Sequence, residues 1–127
     1  MTGNAVRFDD VIAERCASDP EFRDYWERTA LARAVGLAVI RYRSEHKLSQ
    51  RALARQMGMP PSQIARLELG EHNPSIETLQ RLAKGLGRRF IVAVAPDQAT
   101  ELTLPKGVEI LADVVLKDGS RVLAAAG

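Results

Sequence analysis

Apolar positions follow two different spacings along this chain, and the point where one gives way to the other divides it. The stretch "FDDVIAERCASD" (Phe8 to Asp19) repeats with a helical period and predicts a short amphipathic helix. From Asp19 to His46 the apolar positions run Phe22, Tyr25, Trp26, Thr29, then Leu31, Val35, Ala38, Val39 and Tyr42. This spacing predicts either one long helix, with Gly36 as its point of interruption, or two helices meeting near Thr29. Asp19 is placed to cap the N-terminus, Pro20 suits the first helical position, and Glu21 complements the helix dipole.

Three shorter helices follow. Ser49 caps "QRALARQM", which ends at Gly58; a second helix runs from Pro61 to about Leu69 and closes at Gly70. The loop "GEHNPS" leads into "IETLQRLAKGLG", where Ile76, Leu79, Leu82, Ala83 and Leu86 fall along one face. The period then changes to that of strands. "RRFIVAVAP" is β-rich and stops at Pro96, while "VEILADVVL" and "RVLAAA" flank "KDGS", whose Asp-Gly pair signals a hairpin. The expected fold is mainly α, with an N-terminal helical extension over 1–30, a helix-turn-helix domain over 31–88 and a small antiparallel β-sheet over 89–127 serving dimerisation or partner binding.

The tightest spacing lies between Gln50 and Leu67. Two short helices that cross steeply need a small residue where their backbones approach, and Ala54 supplies it. The turn between them needs a positive φ, which Gly58 provides without steric cost. Leu53, Met57, Met59, Ile64 and Leu67 then lock the pair onto surrounding helices. This is helix-turn-helix geometry, in which the second helix lies in the DNA major groove. That helix begins at two adjacent prolines: Pro61 fits the first helical position, and Pro60 is held extended before it, as an N-cap residue should be.

Charge sharpens the picture. The net charge is only +2, yet between Lys47 and Phe90 eight cations face three acids, Glu68, Glu71 and Glu77. A basic middle between near-neutral flanks suits a polyanion-binding module. No apolar run approaches the ~20 residues of a membrane span, the N-terminus lacks the regions of a signal peptide, and Cys16 has no second cysteine to pair with. These point to a cytoplasmic protein. His46 and His72 are isolated, and no phosphate loop, metal-ligand spacing or nucleophile–base set is present in the sequence. No catalysis, cofactor or metal is expected.

From Arg41 to Gly87 the chain resembles the Xre family of helix-turn-helix proteins, related to phage Cro and repressor domains, through "LSQ", "LA", "G", "I-R-L-E-G" and "NPS-ETL-RLA-LG" at family spacing. The resemblance implies a five-helix repressor-like domain that binds double-stranded DNA as a homodimer on a palindromic operator. By it, Gln50 bonds a phosphate and supports the recognition helix. Ser62, Gln63 and Arg66 form that helix's outward face, with Gln63 suited to adenine and Arg66 to guanine or phosphate. Pro61 stands where a polar reader is usual and is left with a thymine methyl. His72, Asn73 and Ser75 lie beside the DNA backbone, and Arg43 and Glu68 form a partly buried ion pair. The chain departs from the family pattern at Pro60, Ala65, Glu71 and Lys47, the last replacing a frequent glycine without expected harm.

The segment "SDPEFRDYWERTALARAVGLAVIRYRSEHKLSQ", with "RRFIVAVAP" after the motif, is similar to HigA-type antitoxins. Those proteins inhibit a small, basic RelE/HigB-like ribonuclease toxin and repress their own operon. Phe22, Tyr25 and Trp26, bordered by Asp19, Glu21, Asp24 and Glu27, are the expected toxin contact. The alternatives are that these aromatics pack on the protein's own core, and that the chain is a stand-alone Xre regulator without a toxin.

Overall fold

The structure, a computed structural model, describes residues 7–127; residues 1–6, the start of the expected N-terminal extension and part of the terminus read as lacking a signal peptide, lie outside the described residues. Six helices precede three strands: α1 (Phe8–Ser18), α2 (Pro20–Arg28), α3 (Ala30–Glu45), α4 (Gln50–Met57), α5 (Pro61–Leu69), α6 (Ile76–Leu86), β1 (Phe90–Ala95), β2 (Glu109–Val115) and β3 (Arg121–Ala126). Four of the helices, α3 to α6, cover the expected helix-turn-helix region, α3 beginning one residue before it at Ala30. No helix among the described residues is long and apolar enough to cross a membrane.

The long helical stretch is two helices. The Asp19 carboxylate accepts the Phe22 N–H at 3.1 Å and starts α2. Thr29 ends it, its hydroxyl donating to the Tyr25 carbonyl at 2.8 Å. A break of this kind leaves helix-end carbonyls and amides unpaired. Asn73, far along the chain, satisfies one of each: its Nδ2 donates to the Arg28 carbonyl at 2.9 Å, and its Oδ1 accepts the Ala32 N–H at 3.0 Å.

Gly36 does not interrupt α3; it lets α3 cross α5 closely. A Cβ at residue 36 would sit 2.6 Å from the Leu67 carbonyl oxygen, so the crossing admits only glycine. Around this crossing lies the core, Val35, Val39, Leu53, Ala54, Met59, Ile64, Leu82 and Leu86, with Leu31, Tyr42, Leu48, Met57, Leu67, Leu79 and Phe90 packed against it. Ile76, expected on the apolar face of α6, is 68 % exposed. As the first helical residue it overhangs the end of the stripe that Leu79, Leu82 and Leu86 carry inward.

The strands form one antiparallel sheet of order β1–β3–β2. The hairpin forms at "KDGS": Leu116 N–H donates to Ser120 at 2.7 Å, and Asp118 accepts from the Ser120 amide and hydroxyl. Helix α3 also packs on β2 and β3. Arg41 pairs with Glu109 at 2.7 Å and Arg88 with Glu45 at 3.2 Å, so the sheet is docked against the helices.

Candidate nucleic-acid interface

Capping sets the entry of each motif helix. Ser49 Oγ accepts the Ala52 N–H at 3.0 Å and opens α4. The helix stops at Gly58 in the left-handed conformation (φ 66°), and Met59 N–H returns to the Ala54 carbonyl at 2.9 Å. Pro60 is extended (φ −63°, ψ 143°) and gives no side-chain cap, while Pro61 occupies the first turn of α5. The prolines thus fix the backbone entry to α5 while leaving one amide bond fewer than a Ser or Thr cap would make.

Helix α5 buries Ile64 completely and Leu67 in part, which turns Pro61, Ser62 and Arg66 outward with Gln63 half-buried between them. Across from this face lies the start of α6, where Ser75 Oγ accepts the Thr78 N–H at 3.1 Å. The two enclose an open groove of about 420 Å³ lined by Pro60, Ser62, Gln63, Arg66, Leu67, His72, Asn73, Pro74, Ser75 and Thr78. The groove brings Ser62, Gln63, Arg66, His72, Asn73 and Ser75 together, while Pro61 and Gln50 stand outside its lining. Asn73 has a structural role besides: its amide bonds the Arg28 carbonyl and the Ala32 N–H, which fixes the loop. Sequence reading missed this role because its partners are 41 and 45 residues away. Pro60, Pro74 and Thr78 complete the lining.

Beneath α5 three side chains form a network. Arg43 grips Glu68 through two bonds, Nε to Oε2 at 2.7 Å and Nη2 to Oε1 at 2.9 Å, and its Nη1 donates to the Leu48 carbonyl at 3.1 Å. Gln50 Nε2 donates to Glu68 Oε1 at 2.9 Å, so this amide is held against α5. The Glu68 side chain is 8 % exposed. Burial pushes its carboxyl up, but the hydrogen bonds from Arg43 and Gln50, with the Arg43 charge, outweigh that and hold it below its ordinary value. The hydrogen bond to Glu68 raises Arg43 in turn. A bidentate pair of this kind fixes the angle between α3 and α5.

Charge is unevenly neutralised. Among the described residues, the six ion pairs engage Arg23, Arg28, Arg41, Arg43, Arg88 and Arg121. Lys47, Arg51, Arg55, Arg66, Arg81 and Lys84 take part in none of them. These are half of the twelve cations outside the six pairs; the others, Arg7, Arg15, Arg33, Arg89, Lys106 and Lys117, are spread over the rest of the described chain. Lys47 has φ 53°, which is strained for a side-chain-bearing residue, so its place at a frequent glycine position is not free of cost.

The α1–α2 region is different. Phe22 stacks on Trp26 with centroids 5.8 Å apart, and Phe8 meets Trp26 at 6.4 Å. Arg33 lies 3.4 Å over the Trp26 ring and Arg15 lies 4.2 Å over Phe22. Phe22 and Trp26 are half-buried in this stack, while Tyr25 is 38 % and Phe8 69 % exposed. Neither helix contains a fully buried residue.

Comparison with known proteins places these features. Residues 39–91 match a family described as helix-turn-helix. The chain is 36 % identical over 79 residues to proteins named Antitoxin HigA1 from two strains of Mycobacterium tuberculosis, CDC 1551 / Oshkosh and ATCC 25618 / H37Rv. The match takes in 62 % of this chain and 53 % of each relative, so the chain spans about half the length of the curated relatives it matches. No solved structure gives a significant match.

Proposed function

We propose that this chain, whose residues 39–91 match a helix-turn-helix family, is an Xre-type, sequence-specific DNA-binding repressor that acts as an antitoxin, binding a small basic RelE/HigB-like toxin and controlling its own operon. It works in the cytoplasm as a homodimer on a palindromic operator and carries out no catalytic step. One observation carries the DNA half of this reading: the groove that joins the Ser62, Gln63 and Arg66 face of α5 to the His72–Ser75 loop. Arg66 and Gln63 reach base edges, His72 lies along the backbone, and the α6 amides beyond Ser75 face a phosphate. Pro61 contacts a thymine methyl. The Gln50 amide donates a hydrogen bond to Glu68, so Gln50 acts on DNA chiefly by holding α5 in place.

The antitoxin half rests on the HigA1 relatives and on the exposed aromatic surface of α1–α2. Because Phe22 and Trp26 are partly covered by Arg15 and Arg33, the exposed Tyr25 and the half-buried Trp26 are the anchors on offer. The same cover favours a second reading, a stand-alone regulator in which the stack serves only to hold α1. Co-expression with the product of the neighbouring reading frame separates the two. Stable co-purification that Tyr25→Ala or Trp26→Ala weakens, with DNA binding unchanged, supports the antitoxin; a neighbour that never co-purifies supports the stand-alone regulator.

A further inference from the structure

The two edges of the sheet are built differently. Strand β2 is a guarded edge: it carries Glu109 and Asp113, and its pairing slips at a bulge between Ile110 and Ala112. Such devices prevent a strand from pairing with another chain. Strand β1, "FIVAVA", has no charge, no proline and no bulge in its six residues. Val92 is 41 % and Val94 72 % exposed, a high value for valines in regular sheet.

Hydrogen-bond alternation shows what this edge offers. Arg89 and Gly127 exchange both bonds, N–H to carbonyl at 2.7 and 3.1 Å, one step before the Phe90↔Ala126 pair. Bonded and non-bonded pairs alternate along an antiparallel ladder. Ile91, Ala93 and Ala95 therefore bond to β3, and the N–H and C=O groups of Phe90, Val92 and Val94 point away from it, toward the open edge.

We propose that β1 is the dimer interface, pairing antiparallel with β1 of a second copy about a two-fold axis through Val92, so that two three-stranded sheets become one. Only this centre lines up all the outward groups: Val92 opposes Val92, and Phe90 opposes Val94 in both directions. The side chains agree with the backbone, because Val92 and Val94 share the face that carries Phe90. A closed two-fold uses up the edge in both copies and leaves the guarded β2 strands outermost. The proposal deepens the repressor reading, which needs two helix-turn-helix units, but its geometry stands on the sheet alone.

The test is the mass of the full chain in solution by light scattering, read together with amide exchange. The wild type is expected at twice the 13.9 kDa chain mass, with the Val92 and Val94 amides protected along with Ile91 and Ala93. Val94→Lys should raise the dimer dissociation constant about 100-fold, tenfold for each copy's lysine, and free the Val92 and Val94 amides while Ile91 and Ala93 stay slow. Because Val94 is exposed and its amide faces away from β3, the variant keeps its fold. Val92→Pro removes the central donor and should act in the same direction. A wild type with rapidly exchanging Val92 and Val94 amides, open-ended growth beyond a dimer, or a Val94→Lys protein that stays dimeric would each overturn the interface. DNA binding measured on the same samples keeps the two readings apart: a dimer by another surface that binds its operator removes this interface and leaves the repressor.

Discussion

The unit built from α3 to α6 and the α1–α2 pair are both amphipathic helices, yet they bury their apolar faces to very different depths. In the first, Val35, Val39, Leu53, Ile64 and Leu82 are 0 to 2 % exposed, the helices cross closely at Gly36, and Arg43, Glu68 and Gln50 brace the crossing. In the second, the aromatics meet each other and two arginines, and nothing is fully buried. A recognition helix must hold its side chains to a fixed geometry, so it stands on a close-packed base. A surface that anchors a partner keeps part of its apolar area uncovered. On the proposed function this difference in burial corresponds to a difference of duty, rigid readout against available contact.

Substitutions test that contrast in order of size. Leu53→Ala removes a fully buried side chain from the core and should cost about 3 kcal/mol, seen as a lower midpoint in urea or heat. Glu68→Ala leaves Arg43 without its partner in a partly dry site and should cost about 2 kcal/mol, less than a fully buried pair because Arg43 keeps some exposure. If Glu68→Ala unfolds no sooner than wild type, the brace is not structural.

The same network predicts a pH dependence with a definite sign. The folded Glu68 carboxyl ionises below its ordinary value of 4.5, so its contribution is complete above that value and is lost as the pH falls through the lowered folded value. Wild type and Glu68→Gln should therefore differ most near neutrality and converge in acid. A gap that widens in acid would contradict the assignment.

Smaller effects mark the looser region. Trp26→Ala should lower stability by about 1 kcal/mol, the worth of its stacking with Phe22 and Arg33. Because Trp26 is the single tryptophan, its fluorescence reports α1–α2 while circular dichroism reports the whole. The fluorescence transition should come first on heating, as expected of a weakly buried unit. Coincident transitions would show one cooperative unit. Smallest of all, Lys47→Gly should stabilise by about 0.5 kcal/mol, since relief of the left-handed strain exceeds the extra chain entropy of glycine.

Much of this was legible in the residues because the signals are local. Ser49, Gly58, Pro61, Gly70 and Ser75 punctuate α4 to α6 where capping and turn chemistry place them, and the Asp-Gly pair marks the hairpin. Arg43 and Glu68 came from the family resemblance, not from spacing. What stayed hidden depends on distance in sequence. Gly36 read as a break because its neighbour Leu67 comes from another helix. That Asn73 clamps the α2–α3 joint was not visible because its partners, Ala32 and Arg28, lie 41 and 45 residues away. The strand order β1–β3–β2, and with it the bare edge of β1, follows from pairing that no periodicity encodes.

The central claim is that the α5 groove reads DNA, and one titration tests it most directly. A labelled duplex from the region upstream of the protein's own gene is titrated with wild type and with Gln63→Ala combined with Arg66→Ala, the fold of each being verified by circular dichroism. Each lost base contact is worth roughly 1–3 kcal/mol, so the double variant should bind that duplex at least about 30-fold more weakly and lose its preference over unrelated sequence. Equal affinity and equal preference in a folded double variant would contradict the account.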